Sequence, residues 1–528
     1  MRGQPAEAPW RLALVLVLQF AENLADRGAA DAVRSRIDWK YLLGLELTDP
    51  GFDASVLSEF RTRLVTGDMS AHLLDGLLVR CQAAGLLKAR GQQRTDSTHV
   101  LAAIRVLNRL ECVGETLRHA LNALATVAPD WLRPHLAPEW TQWAARYGPR
   151  FDEFRLPKGT AGRETLATTI GADGYRLLEA VYAPDAPEWL RAVPAVELLR
   201  RIWVQQYYAP ETLPTAPTTG PSGGDGAAVG AADAAPIRPT PVRWRTNEDI
   251  PPAAQMMNSP HDSDARYSIK RNTKWTGYKA HLTETCDPDA PHLITHVETT
   301  PATTPDWHLL GPIHTGLAVK GLLPNEHVVD AGYVDSDVVV DSHTTHGVTV
   351  LGPVPPDNSW QARAGQGFDL ASFTIDWDRH QAFCPQGKPS VKWSATHDTT
   401  GNAIINMRFA RADCLACAHR GDCTTSATGP REITIRQRAQ YEVLQAARRY
   451  QTTPEFKERY DARAGIEGTL AQGLRVCDLR QARYVGLAKT HLQHVLTATA
   501  LNVRRLGAWW DERPFAPTRR APFLALAA

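Results

Sequence analysis

No long hydrophobic run occurs in the sequence. The strongest is LALVLVL at 12–18, which follows Arg11 and ends near Gln19 and Glu22. A bilayer span needs about 20 apolar residues, so this run is too short. It is also a poor export signal. Glu7 stands where a basic region belongs, and no small-residue cleavage site follows. It reads as a core helix, and the chain as cytoplasmic with no membrane partner. Cysteine is scarce, with eight in 528 residues, which argues against a disulfide framework. Net charge is nearly absent at +1, but the balance is uneven. From Arg431 onward there are 17 Lys and Arg against 9 Asp and Glu, a net of +8, which leaves −7 for the rest. A basic block on a near-neutral chain suits a polyanion, although solvated helix faces produce the same count.

At 528 residues the chain is long enough for three or four domains of roughly 150 residues. Residues 1–88 show apolar positions at helical spacing, broken at TDPGF (48–52), and read as a helical N-terminal domain. Residues 89–104 change character at RTDSTHVLAAI and form a candidate first core strand. A helical insertion is expected over 105–208. Residues 209–247 are rich in Pro, Thr, Gly and Ala and read as a linker. Residues 248–355 then turn strand-like at TGYKAHLTET and HLITHVETT, followed by strand, turn, helix and strand in HVVDAGYVDSDVVVDSHTTHGVTVLGPV. This is an α/β pattern. A cysteine-bearing insertion (356–430) precedes a basic helical segment (431–528), whose expected loop falls near 471–483.

Three carboxylates stand out. Asp330 closes the apolar run HVV and precedes Ala-Gly-Tyr, which puts it at a strand end, where α/β sites collect. Asp96 follows a polar run that could be a strand. Either could equally start a turn or cap a helix. In YDARAGIEGTL (460–470), helical spacing predicts Tyr460, Arg463 and Glu467 on one face. Arg463 and Glu467 alone would be an ordinary i,i+4 ion pair. Three carboxylates from separate elements can instead hold a pair of hard divalent ions, which is what phosphodiester chemistry needs.

Asp-Ser-Thr-His at 96–99, Asp-Ala-Gly-Tyr at 330–333 and Tyr460-x2-Arg463-x3-Glu467, with the opening LQFAENLADRGAADAVRSRIDWKYLLGLELTDPGFDASVLSEFRTRL, resemble the DDE-type transposases of bacterial insertion sequences. The likeness runs from about residue 10 to 508. It implies an RNase H-like catalytic core with an N-terminal helical domain, a helical insertion and a small cysteine-rich insertion. Asp96, Asp330 and Glu467 would be the catalytic acids, holding two Mg²⁺ ions, with Mn²⁺ able to substitute. Arg463 would orient Glu467 or contact a phosphate, and Tyr460 would contact DNA near the cleaved end. Relatives often carry a lysine seven residues after the glutamate. Here that position is Leu474, and Arg475 follows as the expected phosphate contact. Relatives also carry more residues ahead of Pro9. The implied activity is cleavage at terminal inverted repeats and strand transfer into target DNA, by a homodimer at the bacterial nucleoid. The rival readings are a DNA-binding derivative that no longer cuts, and a nuclease of the same fold without strand transfer.

Cys384, Cys414, Cys417 and Cys423 form C-x29-C-x2-C-x5-C. Cys-x2-Cys fits a tetrahedral zinc knuckle, and four thiolates make a closed structural site. Ordinary buried or free cysteines are the competing reading, and the clustering favours zinc. His419 could replace one ligand, and His99 is expected to hydrogen-bond near the acids without ligating. In the final helix Lys489, Arg504 and Arg505 could face a phosphate backbone beside an apolar packing stripe.

Overall fold

The structure, a computed structural model, describes residues 7–208, 242–270 and 272–513. Most of the expected linker, 209–241, lies outside the described residues. Its last residues are ordered: Arg243–Trp244 pairs antiparallel with Tyr207–Tyr208. Val242 and Trp244 bury against the helical insertion there, so apolar content overrides the Pro-rich context.

The centre is a mixed six-stranded sheet. Its strands are β1 (Arg90–Leu101), β2 (Arg266–Lys270), β3 (Thr273–Thr285), β4 (Ile294–Pro301), β5 (Pro324–Val329) and β6 (Thr349–Leu351). The order is β4-β3-β1-β5-β6, antiparallel across β4, β3 and β1 and parallel across β1, β5 and β6. β2 pairs only with the leading half of β3 and forms a hairpin beyond the sheet. Helices Leu310–Val319 and Ser336–His346 join the parallel strands. The α/β reading therefore holds.

β1 is polar yet largely buried. Each buried group meets a partner from a neighbouring element. Gln93 Nε2 donates to Leu322 O at 2.7 Å, and Thr95 Oγ1 lies 2.6 Å from Thr283 Oγ1 and 2.7 Å from His327 Nε2. Full pairing is what makes such burial tolerable. The strand carries Asp96 into the middle of the sheet.

The N-terminal helices do not close a core by themselves. Leu12, Val15, Leu16 and Phe20, from the apolar run and its helix Pro9–Ala21, pack with Leu492, Leu496 and Ala500 of the terminal helix Leu487–Trp510. That helix also lends Val495, Ala498 and Leu501 to the sheet core. One helix, apolar on two faces, thus binds the N-terminal helices to the sheet. The helical insertion has its own core around Val113, Leu117, Trp143 and Trp203. The cysteine insertion forms a small three-stranded sheet, Ser390–His397, Ala403–Phe409 and Glu432–Arg436. Its last strand runs past the expected limit at 430, because Ile433 and Ile435 fill the same core as Ile405 and Met407. Among the described residues no helix is long and apolar enough to cross a membrane.

Residues 454–476 depart from the expected continuous helix. One helix ends at Tyr460, a 3₁₀ turn covers Asp461–Arg463, and a second helix runs from Ala464 to Val476. The tighter turn changes the angular phase, so Tyr460 belongs to the preceding helix. The following loop spans 477–486, later than the composition suggested.

Candidate active site

The parallel register of β1 and β5 ends at Thr95 opposite Val329. The next residue on each chain is an acid, Asp96 and Asp330. The end of β5 and the middle of β1 therefore present carboxylates side by side. Asp330 Oδ1 accepts from Gly332 N at 2.9 Å. A β-carbon at 332 would stand 3.1 Å from Asp330 Oδ1 and 3.4 Å from Asp306 Oδ2, so glycine leaves room for both acids.

Arg463 joins the third acid to this pair. Its Nη2 donates to Asp96 Oδ2 at 2.7 Å and its Nη1 to Glu467 Oε1 at 3.0 Å. The Asp96 side chain is 10% exposed and that of Glu467 65%. Burial pushes the Asp96 carboxyl up to about 6, and the Asp330 carboxylate adds to the rise, against the Ser97 N–H, Arg463 and Lys270. Asp96 therefore carries negative charge that its own neighbours neutralise only in part. Tyr460 stacks on Phe456, ring centres 5.3 Å apart, and lies within electrostatic reach of Asp330, Asp96 and Glu467.

The turn before Glu467 is clamped from below. Arg94 lies two residues before Asp96 on β1, and its Nη1 donates to Ala462 O at 2.5 Å. Its guanidinium also pairs with Glu284 at 2.7 Å, and Arg505 pairs with Glu284 at 2.7 Å from the other side. Arg505 further donates to Thr469 Oγ1 at 2.6 Å. Gly465 sits directly over Arg94, where a β-carbon would meet Nη1 at 2.1 Å. The arginine network thus fixes the start of the Glu467 helix on the strand that bears Asp96. Sequence reading missed it, because Arg94 and Glu284 are 190 residues apart and neither belongs to a motif.

A second pair borders the acids. Lys279 Nζ lies 2.8 Å from Asp306 Oδ1, and Ser97 Oγ lies 3.4 Å from Asp306 Oδ2. Tyr333, from the Asp-Ala-Gly-Tyr stretch, is buried with its hydroxyl 2.6 Å from His281 Nδ1. His99 accepts from Arg480 at 2.6 Å and packs on Trp275, ring centres 5.3 Å apart. Its nitrogen is occupied by a hydrogen bond, as expected.

The remaining predicted residues lie apart from the acids. Arg475 is exposed roughly two turns beyond Glu467. Arg504 is exposed and donates to Ala21 O at 3.3 Å, while Lys489 is half-buried on the same helix. Arg505 faces inward. In the cysteine insertion, Cys423 feels Cys414, Cys384 and Cys417 electrostatically. Lys388 N donates to Cys384 Sγ at 3.3 Å, and Arg431 N approaches Cys414 Sγ at 3.5 Å. The other three thiols thus lie within electrostatic reach of Cys423. Among the described residues, however, no three His, Cys, Asp or Glu side chains stand close enough together to hold a metal ion. At the acids, Arg463 takes the intervening place.

Two family models match the chain. Residues 1–63 match one described as a transposase domain (DUF772), and residues 383–507 match one described as a transposase DDE domain. The second match contains the cysteines, Arg463 and Glu467 but neither aspartate. No curated protein matches.

Proposed function

Because this chain belongs to the DDE-type transposases of insertion sequences, we propose that it cuts DNA at terminal inverted repeats and joins the freed 3′ ends to target DNA. Asp96, Asp330 and Glu467 are the acids we assign to that chemistry. The carrying observation is that Asp330 follows the end of β5 beside Asp96 on the parallel neighbour β1, with Arg463 spanning Asp96 and Glu467. The strand order supports the reading. Counting β1, β3, β4, β5 and β6 as one to five, it runs 3-2-1-4-5, the order of an RNase H-like core.

The donor set fits hard divalent ions, since all three groups are carboxylates and Asp96 holds under-neutralised charge. Asp96, Asp330 and Glu467 would hold two Mg²⁺ or Mn²⁺ ions, which supply charge neutralisation and an activated oxygen nucleophile. The protein supplies positioning. β1 and β5 hold the two aspartates at one level. Arg94 fixes the turn that carries Arg463, and Arg463 keeps Glu467 beside them until the acids gain other counter-charge. Tyr460, half-buried and within electrostatic reach of all three acids, would contact the DNA end. Target and element DNA are the partners, bridged by a homodimer. In the cysteine insertion, the C-x29-C-x2-C-x5-C spacing and the electrostatic reach of Cys384, Cys414 and Cys417 to Cys423 support a structural Zn²⁺, although the thiols are not gathered into a closed site. Metal analysis of purified protein beside Cys414→Ser tests this, with one equivalent of zinc expected and its loss in the variant.

The deciding experiment incubates supercoiled plasmid carrying the element ends with protein, with and without Mg²⁺, beside Glu467→Gln. Breaks at the ends that need both Mg²⁺ and Glu467 sustain the proposal. Binding to the ends without cutting leaves a DNA-binding derivative, and cutting without joining leaves a nuclease.

A further inference from the structure

The β2–β3 hairpin is a basic projection beside the acids that this mechanism does not use. Its register is regular, from Arg266 opposite Gly277 to Lys270 opposite Thr273. From Arg266 to Lys279 the sequence contains no Asp or Glu. Lys270 and Lys274 are exposed, and among the described residues neither enters an ion pair. Ile269, 53% exposed, precedes Lys270 and pairs across the hairpin with Lys274.

The hairpin is anchored at its base. Trp275 is buried, packs on His99 of β1 and donates to Tyr278 O at 3.2 Å. At Gly277 φ is +154°, and a β-carbon there would meet Val100 O at 2.2 Å. The hairpin thus presses against β1 where it leaves the sheet. Lys270 sits near enough to act electrostatically on Asp96, His99 and His281. A projecting, acid-free hairpin whose Lys270 reaches Asp96 serves no packing need that its lysines would meet. A cationic arm anchored in this way suits a polyanionic strand passing near Asp96.

We propose that the β2–β3 hairpin is a clamp for the DNA backbone, with Lys270 and Lys274 holding phosphates next to the bond to be cut. The inference rests on the transposase reading and adds to it the element that holds the strand over the acids. The lysines are positioning residues. They act on phosphates flanking the reacting one.

The test compares full-length wild type with Lys270→Ala/Lys274→Ala and with Lys158→Ala, an exposed lysine on the helical insertion. Binding to a labelled duplex of the element end is measured from 50 to 300 mM KCl. Each lost phosphate contact lowers the slope of log K against log salt by about 0.9, so the double variant should lose about two. Affinity near 100 mM salt should drop about tenfold or more. Lys158→Ala should match wild type. Uncharged methylphosphonates at the phosphates flanking the cut should erase the difference between wild type and the double variant. A matching thermal midpoint confirms an intact fold. If the double variant keeps wild-type slope and affinity while wild type still cuts, the clamp is overturned and the transposase reading stands. If wild type neither binds nor cuts end DNA, both fall.

Discussion

Two carboxylates, Glu284 on β3 and Asp96 on β1, sit two register positions apart on neighbouring strands and are treated in opposite ways. Glu284 is fully buried and flanked by two arginines, each at 2.7 Å. Burial opposes its charge, but Arg505 and Arg94 more than compensate, and its pKa falls below the ordinary value. Asp96 is also buried, yet shares one arginine with Glu467 and has Asp330 beside it, and its pKa rises. The difference separates a carboxylate that holds the fold from one held ready for a cation. A structural acid is matched by dedicated partners. At the candidate site the charge is left partly open, as functional sites require.

The sharpest way to break this distinction is to remove Glu284. Glu284→Ala leaves two buried guanidiniums without their counter-ion, a loss of about 3–5 kcal/mol. Against a typical stability of about 5–15 kcal/mol, the variant should unfold at much lower denaturant or not accumulate at all. A variant of near wild-type midpoint would show that the network is not structural. Asp330→Asn and Glu467→Gln should do the reverse. Their folds should persist, with unchanged circular dichroism, while cleavage of end DNA drops about 10³-fold or more. Residual cleavage near wild type in either would remove that residue from the assigned set.

Gly465 links the two groups. Gly465→Ala forces a β-carbon onto the Arg94 guanidinium, and relief requires the Glu467 helix to lift from β1. Overpacking of this kind costs about 1–3 kcal/mol. The expected result is lower thermal stability together with weaker cleavage. If stability falls and cleavage does not, the Arg94 clamp does not position Glu467.

How much of this was legible depended on whether the signal was local. The helical ends, the α/β alternation and the Pro-rich break show in periodicity and composition, because each rests on residues close in sequence. Asp330 was legible as the acid after an apolar strand. Asp96 was harder. β1 reads RGQQRTDSTHVL, a polar run with no strand alternation, and it is buried only because β3, β5 and the Glu467 turn satisfy its side chains from 188 residues away and more. The same long range hid the Arg94–Glu284–Arg505 network. It also made Arg505 look like a surface cation, since one sequence cannot say which face of a helix finds a buried acid. The break after Tyr460 was invisible for a different reason. No proline or cap marks a 3₁₀ turn inserted between two good helix formers.

The finest test of the comparison is its pH dependence without divalent ions. Asp96 titrates near 6 in the fold and near 3.8 when exposed. Ionising it therefore costs the folded state more than the unfolded one. Relative to Asp96→Asn, the wild type should lose stability as pH rises from about 4 to 6 and stay level above that. A tenfold difference in proton affinity between the two states is worth about 1.4 kcal/mol, so the shift from 3.8 to about 6 bounds the gain of Asn at neutral pH at about 3 kcal/mol, less once the structure relaxes. Glu284 has the opposite sign. Its stabilisation is present above its unfolded value near 4.5 and disappears as pH falls. Unfolding midpoints of wild type and Asp96→Asn in EDTA, from pH 3.5 to 8, resolve the two windows. Curves that stay parallel throughout would mean that Asp96 is neutralised as fully as Glu284. The contrast between a structural and a poised carboxylate would then be lost.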